Sequence, residues 1–371
     1  MDPALPTSLV PADLLVGAAI PAVTLLIVLA LHLAIPARRV EGYARCEHTG
    51  DLLRYRLNGR LVGPVVLGLW AVACAQGSLP WDLLYRLRWP SLAGACLLGV
   101  GFSAWMVLTR PSRGGGVVAE LFLGRAENPQ WLGARVDAKM FLYLYGAILL
   151  ALNLASFAVY FVQTHGLEQS AGVLLHVALF GWFLMDYLVF ERVHLYTYDL
   201  FAERVGFKLG WGCLTFYPYF YAVGLWAAAG EGPGHRSPGW LVLSAGVFFT
   251  GWGLSRGANL QKYAFKRDPT RAFLGLIEPR TVSDGDRHLL CSGFWRLSRH
   301  INYLGEVLMA VGLTLALGRP DLLAPWLYPL YYVALLVPRE RDDDRRCAAK
   351  YGALWEAYRA KVPRRIVPWL Y

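Results

Sequence analysis

Residues 140–163 read MFLYLYGAILLALNLASFAVYFVQ, and after a short break residues 171–190 read AGVLLHVALFGWFLMDYLVF. The first run carries no charged residue, and each run approaches or exceeds the roughly 20 residues that a helix needs to cross a hydrocarbon core. Comparable runs recur near 13–36, 61–77, 91–109, 213–229, 239–254, 303–317 and 322–337. Hydrophobic residues make up 56% of the chain, with 14 Trp and 20 Tyr, and charged residues only 17%. Ordinary soluble domains do not have this balance. The expectation is an all-α polytopic membrane protein with about nine to ten transmembrane helices, although the shorter runs also fit a broken or re-entrant pair.

Basic residues orient the runs. With the N-terminus outside, 32 of the 36 Lys and Arg fall on the inside segments 38–60, 110–139, 192–212, 255–302 and 338–371. Cytoplasmic loops carry such an excess, so the C-terminus is expected in the cytoplasm. The formal charge of +10 then reflects topology and contact with anionic headgroups, and requires no nucleic acid. Residues 1–12 lack a basic n-region and no small-residue cleavage site follows, so the first run reads as a retained span. Six cysteines, at 46, 74, 96, 213, 291 and 347, show no C-x-x-C spacing, which argues against a metal site or a disulfide framework. Thirty Arg against six Lys points to a GC-rich genome and a bacterial inner membrane rather than the endoplasmic reticulum.

Ionisable residues concentrate after about residue 130. Asp186, Glu191, Asp199 and Glu203 cluster at the inner end of one run. At membrane depth a charge costs about 2.5–3.5 kcal/mol on insertion scales, so it faces a cavity or a partner. Pairing at the interface with Arg192, His194, Arg204 and Lys208 is the alternative. In ANLQKYAFKRDP (258–269), Lys262 and Lys266 share a face if the stretch is helical, suited to a phosphate clamp or to lipid headgroups. Asp343, Cys347, Tyr351, Trp355 and Tyr358 recur at spacings of four and three, predicting one helical stripe. Gly99, Gly101 and Ala104 form a lone G-x-G-x-x-A inside an expected span, with no strand before it, and read as a helix-packing surface.

The densest stretch is LLCSGFWRLSRHINYLGEVLMAVG (289–312), with Arg299 and His300 as donors, Asn302 as a bidentate amide, and Trp295 and Tyr303 as stacking surfaces. RERDDDRRCAAKYGALWEAY (339–358) and VPRRIVPWLY (362–371) follow it. These three elements in this order resemble the sterol reductase family, which includes sterol C-14 reductase, 7-dehydrocholesterol reductase and the sterol-reductase part of the lamin B receptor. DYLVFERVHLYTYDLFAERVGFKLGWGCLTFYPYFY (186–221) resembles the family's central signature, and GRAENP (124–129) a more distal one. The resemblance covers about 120–371. It divides the chain into an N-terminal transmembrane scaffold, 1–110, and a catalytic membrane region, 111–371, with its cofactor part at 255–371.

The resemblance implies a sterol substrate and NADPH, bound in a cytoplasm-facing pocket of the C-terminal half. By motif position the cofactor contacts are Lys262, Lys266, Leu290, Trp295, Asn302, Tyr303, Arg339, Asp343, Cys347, Lys350, Tyr351 and Tyr358. The lysines suit phosphates, Asn302 and Asp343 an amide or ribose, and the aromatic residues stack on rings. The implied reaction is reduction of a ring double bond at C-14 or C-7. An isolated alkene is no electrophile, so a proton must arrive before hydride. Tyr221 is one candidate acid, and Glu203 or Asp199 relayed through Tyr219 another, because a phenol with a reference pKa of about 10 needs a relay or a nearby acid.

Several positions depart from the family pattern. Cys213 stands where Asp usually follows G-W-G, Phe190 where Asn commonly precedes Glu191, Lys266 for Arg, and Arg296 where Gly is common. An R-P-G element expected near Tyr143 and Gly146 is absent. Phe294 and Ile301 are more similar to 7-dehydrocholesterol reductase, and RERDDDRRC to C-14 reductase. The R-H-x-N-Y element also occurs in membrane methyltransferases that use S-adenosylmethionine. That activity, and sterol binding without turnover, are the competing functions.

Overall fold

The computed structural model describes residues 10–47, 49–235 and 237–371. Residues 1–9, on which most of the reading of 1–12 falls, lie outside the described residues, as does Arg236, one of the outward-assigned basic residues. The chain forms two compact units, one ending at Pro233 and one running Gly234–Tyr371.

The first unit contains α1 (Pro11–Ala34), the antiparallel ribbon β1 (Arg38–Arg45) and β2 (Leu52–Leu57), α2 (Gly59–Ala75), α3 (Leu83–Arg86), α4 (Arg88–Leu108) and α5 (Val117–Leu123). A second ribbon, β3 (Gln130–Trp131) with β4 (Val136–Asp137), leads into α6 (Ala138–His165). After a 3-10 turn at Leu167–Gln169 comes α7 (Ala171–Val189). Short pieces complete the unit: α8 (Glu191–His194), α9 (Tyr198–Phe201), α10 (Phe207–Trp211), a π-helical turn (Gly212–Phe216), α11 (Tyr217–Phe220) and α12 (Val223–Glu231).

Four of these helices, α1, α4, α6 and α7, are long and apolar enough to cross a membrane. The protein is thus a mostly helical, polytopic membrane protein. Among the described residues three two-stranded ribbons interrupt the expected all-α pattern, all in the polar breaks between apolar runs. The run expected at 213–229 is not one helix. Pro218 has no N–H to continue a helical ladder, and the π-helical turn precedes it.

Helix α6 is the centre of this unit. Asp137 caps it, accepting from Met140 N at 3.0 Å, and most of its side chains are buried. Gly99 packs α4 against the 207–216 segment, since a Cβ there would stand 2.8 Å from Thr215 Oγ1 and 2.9 Å from the Trp211 side chain. Gly99 of the G-x-G-x-x-A triplet is therefore a packing position, whereas Gly101 is exposed, with no atom within 4 Å of where a Cβ would stand.

The second unit holds α13 (Pro238–Arg267), the ribbon β5 (Thr281–Asp284) with β6 (Arg287–Leu290), α14 (Phe294–Leu297), α15 (Ile301–Ala316), α16 (Leu323–Tyr351) and α17 (Ala353–Lys361). Helix α13 continues the apolar run at 239–254 through ANLQKYAFK, so Lys262 and Lys266 do lie on one helix. Helices α13 and α15 meet through glycines. A Cβ on Gly251 would come 2.5 Å from Gly305 O, and one on Gly305 2.5 Å from Gly251 O. Small residues permit this approach where helix association gains little from the hydrophobic effect.

The C-terminal stripe is not one helix. Gly352, at φ +55°, ends α16 and starts α17, because the left-handed conformation that turns the chain here disfavours a side chain.

Candidate active site

In the second unit the motif 289–303 wraps around the C-terminal end of α13. Gln261 holds it there. Its Nε2 donates to Ser292 O at 3.1 Å and its Oε1 accepts from Phe294 N at 3.0 Å. Gly293, at φ +61°, passes so close that a Cβ would strike the Gln261 amide. Trp295 then turns inward and donates from Nε1 to Ala258 O at 3.0 Å, joining Ala258, Phe265, Leu290 and Ile301 in a buried cluster. The half-buried Lys262 ammonium stands 5.7 Å from the Trp295 ring. Lys266, one turn on, is exposed.

Arg299, expected as a ligand donor, is turned away from that role. Its Nη1 donates to Val362 O at 2.9 Å and Pro363 O at 3.0 Å, and its backbone N to Arg364 O. Ser298 Oγ donates to Ile366 O at 2.8 Å, and His300 N to Arg365 O at 2.8 Å. The RLSRH segment is thereby stapled to VPRRI, which Arg365 in turn anchors on buried Glu340 at 3.1 Å.

His300 and Asn302 lie at the heart of the site. The imidazole stacks on Tyr303 at 4.9 Å. Burial, and then the charge of Lys262, hold its pKa down at about 3, so it is neutral near pH 7. His300 Nε2 and Asn302 Oδ1 are buried with no hydrogen-bond partner among the described residues. Leaving such atoms unpaired costs about 1–3 kcal/mol each, which favours a polar ligand at this point.

Helix α16 presents Arg339, Asp343, Cys347 and Lys350 at near one-turn spacing. Lys262 acts electrostatically on Asp343 and on Cys347. Burial raises the Asp343 carboxyl and pushes the Cys347 thiol up to about 12, so this thiol stays protonated near pH 7. The break at Gly352 does not scatter the stripe. Cys291, Trp355, Tyr358 and Val362 form a second cluster against which Cys347 and Tyr351 pack. Trp355 and Tyr358 stack at 5.1 Å, while Lys350 stays exposed, 5.1 Å from the Tyr351 ring.

In the first unit three of the four carboxylates, Glu191, Asp199 and Glu203, separate by environment. Glu191 is buried and accepts from Gly59 N at 3.0 Å, capping the N-terminus of α2, where a carboxylate is favourable. Glu203 is paired with Lys208 at 2.6 Å. Lys139 donates to Leu200 O at 2.7 Å and Glu203 O at 2.9 Å, fixing the Tyr198–Glu203 segment on α6. Asp199 lies within electrostatic range of Lys139, Tyr187 and Cys213. Tyr221 packs edge-on against Tyr217 at 4.7 Å. Tyr219, the expected relay, instead shares a 2.6 Å hydrogen bond with Ser91 Oγ.

A family model described as the ergosterol biosynthesis ERG4/ERG24 family matches residues 22–371. The chain belongs to this family. The match begins well before GRAENP, so the resemblance reaches into the N-terminal third that no recognised motif had covered. Among relatives, the Delta(14)-sterol reductase of Arabidopsis thaliana is 32% identical over 350 residues, covering 91% of this chain and 91% of the relative. A bacterial Delta(14)-sterol reductase, from Methylotuvimicrobium alcaliphilum, is 32% identical over 92% of this chain and 80% of its own length. The Delta(14)-sterol reductase TM7SF2 of Mus musculus is 32% identical over 92% and 82%.

His300 and Gln261 are the residues that motif reading undervalued. Both lie in the motif segments, but nothing in the one-dimensional spacing told an arginine bonded to backbone carbonyls from a buried histidine whose Nε2 lacks a partner.

Proposed function

We propose that the protein is an NADPH-dependent sterol reductase that saturates a ring double bond, and that the C-14 bond is its target. Family membership and the Delta(14)-sterol reductase identity of the relatives support the reaction. The observation that carries the cofactor reading is the convergence of Lys262, Trp295, His300, Asn302 and Asp343 around two unpartnered buried polar atoms.

NADPH supplies hydride when bound. Lys262 and Lys266, with Arg339, provide positive charge for its phosphates, and Lys350 adds to that charge at the rim. Asn302 and Asp343 meet amide or ribose groups, and Trp295, Tyr303, Tyr351 and Tyr358 offer ring faces, while Leu290 and Cys347 close the wall. On the substrate side Tyr221 protonates the alkene and Asp199 is the acid behind it. Glu203, already paired, positions the segment that carries Asp199.

The catalytic region extends over 111–371, with 1–110 as scaffold. The remaining apolar segments bring the crossings to nine, the C-terminus is cytoplasmic, and the chain resides in a bacterial inner membrane.

Purified protein incubated with NADPH and a 14-ene or 7-ene sterol, followed by mass spectrometry, tests this reading. A saturated product from the 14-ene sterol is expected. Sterol binding without product, or methyl transfer from S-adenosylmethionine, overturns it.

A further inference from the structure

Helix α16 has two polar faces at its C-terminal end. Arg339, Asp343, Cys347 and Lys350 share the one assigned to the cofactor. At about 100° per residue, Arg341 and Arg345 fall on the opposite face, in line with Leu323, Leu327, Leu330 and Ala334. This face is open: Leu323 is 71% exposed and Leu330 55%, and Ala334, Arg341 and Arg345 are exposed as well. A contiguous exposed apolar stripe marks contact with a partner or a membrane. The apolar part of α16 ends at Val337. Arg341 follows about 6 Å further along the axis and Arg345 about 12 Å, and the headgroup layer beyond the hydrocarbon core is roughly 5–7 Å thick. With α16 as one of the proposed crossings and its C-terminal end in the cytoplasm, Arg341 stands at the level of lipid phosphates and Arg345 just beyond.

An open cavity of about 700 Å³ lies here, lined by Arg341, Asp344, Arg345, Arg365 and Tyr371. Its charges are unequally committed. Asp344 accepts from Trp355 Nε1 at 3.2 Å and stands 3.7 Å from Arg299, and Arg365 is paired with Glu340 at 3.1 Å. Arg345 reaches Asp342 at 3.7 Å and donates to Arg341 O at 3.2 Å. The Arg341 guanidinium has no hydrogen bond or ion pair among the described residues. The turn that brings Tyr371 to the cavity is closed by Arg365 N and Ile366 N, which both donate to Tyr371 O at 2.9 Å. It leaves Trp369 and Leu370 83% and 84% exposed, with Trp369 at φ +65°. A bulky residue is strained in that conformation, yet here it carries an indole into the open two residues from a basic cavity.

We propose that this cavity binds the phosphate of an anionic phospholipid of the cytoplasmic leaflet. Arg341 and Arg345 take the phosphate oxygens, which guanidinium forks match, and Arg365 adds charge. The acyl chains follow Leu330, Leu327 and Leu323, and Trp369 and Leu370 enter the interfacial layer that Trp favours. Basic pockets on the cytoplasmic side of membrane helices recognise headgroups in this way. The site rests on the proposed crossing by α16 and not on the reductase reading.

The test counts lipid bound to the full-length, detergent-solubilised protein by native mass spectrometry. The probes are dioleoyl-phosphatidylglycerol and dioleoyl-phosphatidylcholine, with inorganic phosphate as competitor. Wild type should bind phosphatidylglycerol about tenfold tighter than phosphatidylcholine, and Arg341→Gln/Arg345→Gln should lose about fivefold per arginine. Arg271→Gln/Arg287→Gln, with the same charge removed elsewhere, should bind lipid as wild type does, and both pairs should keep NADPH affinity. No preference in wild type, equal losses in the two pairs, or displacement of the lipid by millimolar inorganic phosphate overturns the proposal. So does a parallel loss of NADPH affinity in Arg341→Gln/Arg345→Gln, which assigns the cavity to the cofactor. In nanodiscs, Ala334→Cys should resist a membrane-impermeant maleimide. Labelling there beyond the wild-type background removes the crossing and the lipid site together, whereas protection without lipid preference removes the lipid site alone.

Discussion

Replacing Gln261 by Leu removes the clamp that holds the S-G-F-W turn on α13. Gln261 is 2% exposed, and its amide satisfies one backbone carbonyl, Ser292 O, and one backbone N–H, Phe294 N. Leucine is of similar size and leaves both groups without their partner. An orphaned buried backbone group costs about 1–3 kcal/mol, and the turn is partly open, so the expected loss is about 2–4 kcal/mol. For a chain of this size that corresponds to a fall in melting midpoint of roughly 3–5 °C. Trp295 follows the turn directly and closes the proposed cofactor site, so affinity for NADPH is expected to drop along with stability. Detergent-solubilised protein can be followed by thermal unfolding and by quenching of tryptophan fluorescence on titration with NADPH. A variant that melts with wild type and binds NADPH equally well refutes the assignment of Gln261 as the clamp.

Three further outcomes follow from the same geometry. Since folded His300 is held at about 3 against an ordinary 6.5, the unfolded chain binds more protons between these values and stability falls as pH drops through that window; lowering pH from 6.5 to 5 should cost about 2 kcal/mol, a slope that His300→Asn should remove in thermal melts. Gly305→Val should drive α13 and α15 apart, because a Cβ already meets Gly251 O at 2.5 Å, with a loss of several kcal/mol seen as poor expression or early melting, whereas Gly253→Ala, where no atom stands within 4 Å, should be tolerated. Lys262→Ala and Lys266→Ala should weaken NADPH more than NADH in binding titrations; equal losses contradict the phosphate role.

Apolar runs and the density of basic residues made the membrane class legible in the sequence, because both are properties of composition along the chain. Hairpins in the polar breaks were not, since strands as short as Gln130–Trp131 and Val136–Asp137 leave too little alternation to read. The C-terminal stripe was read correctly as one face and wrongly as one helix. Gly352 bends the chain, and tertiary packing of Cys347, Tyr351, Trp355 and Tyr358 restores the alignment. Asp199, Glu191 and Glu203 looked alike in one dimension. Their environments separate a helix cap from a paired acid and from a residue beside Tyr187 and Cys213. The tyrosine that meets Tyr221 is Tyr217, and the π-helical turn that places it there has no sequence signature beyond a glycine-rich approach and Pro218.

Isotope tracing tests the central claim most directly. With NADPH carrying deuterium at the transferable position of its nicotinamide and a 14-ene sterol in H2O, the account predicts a saturated sterol with one deuterium on a former alkene carbon. Repeating the reaction with ordinary NADPH in D2O should place one deuterium on the other carbon. Unlabelled product from the labelled cofactor, or no saturated sterol at all, contradicts it.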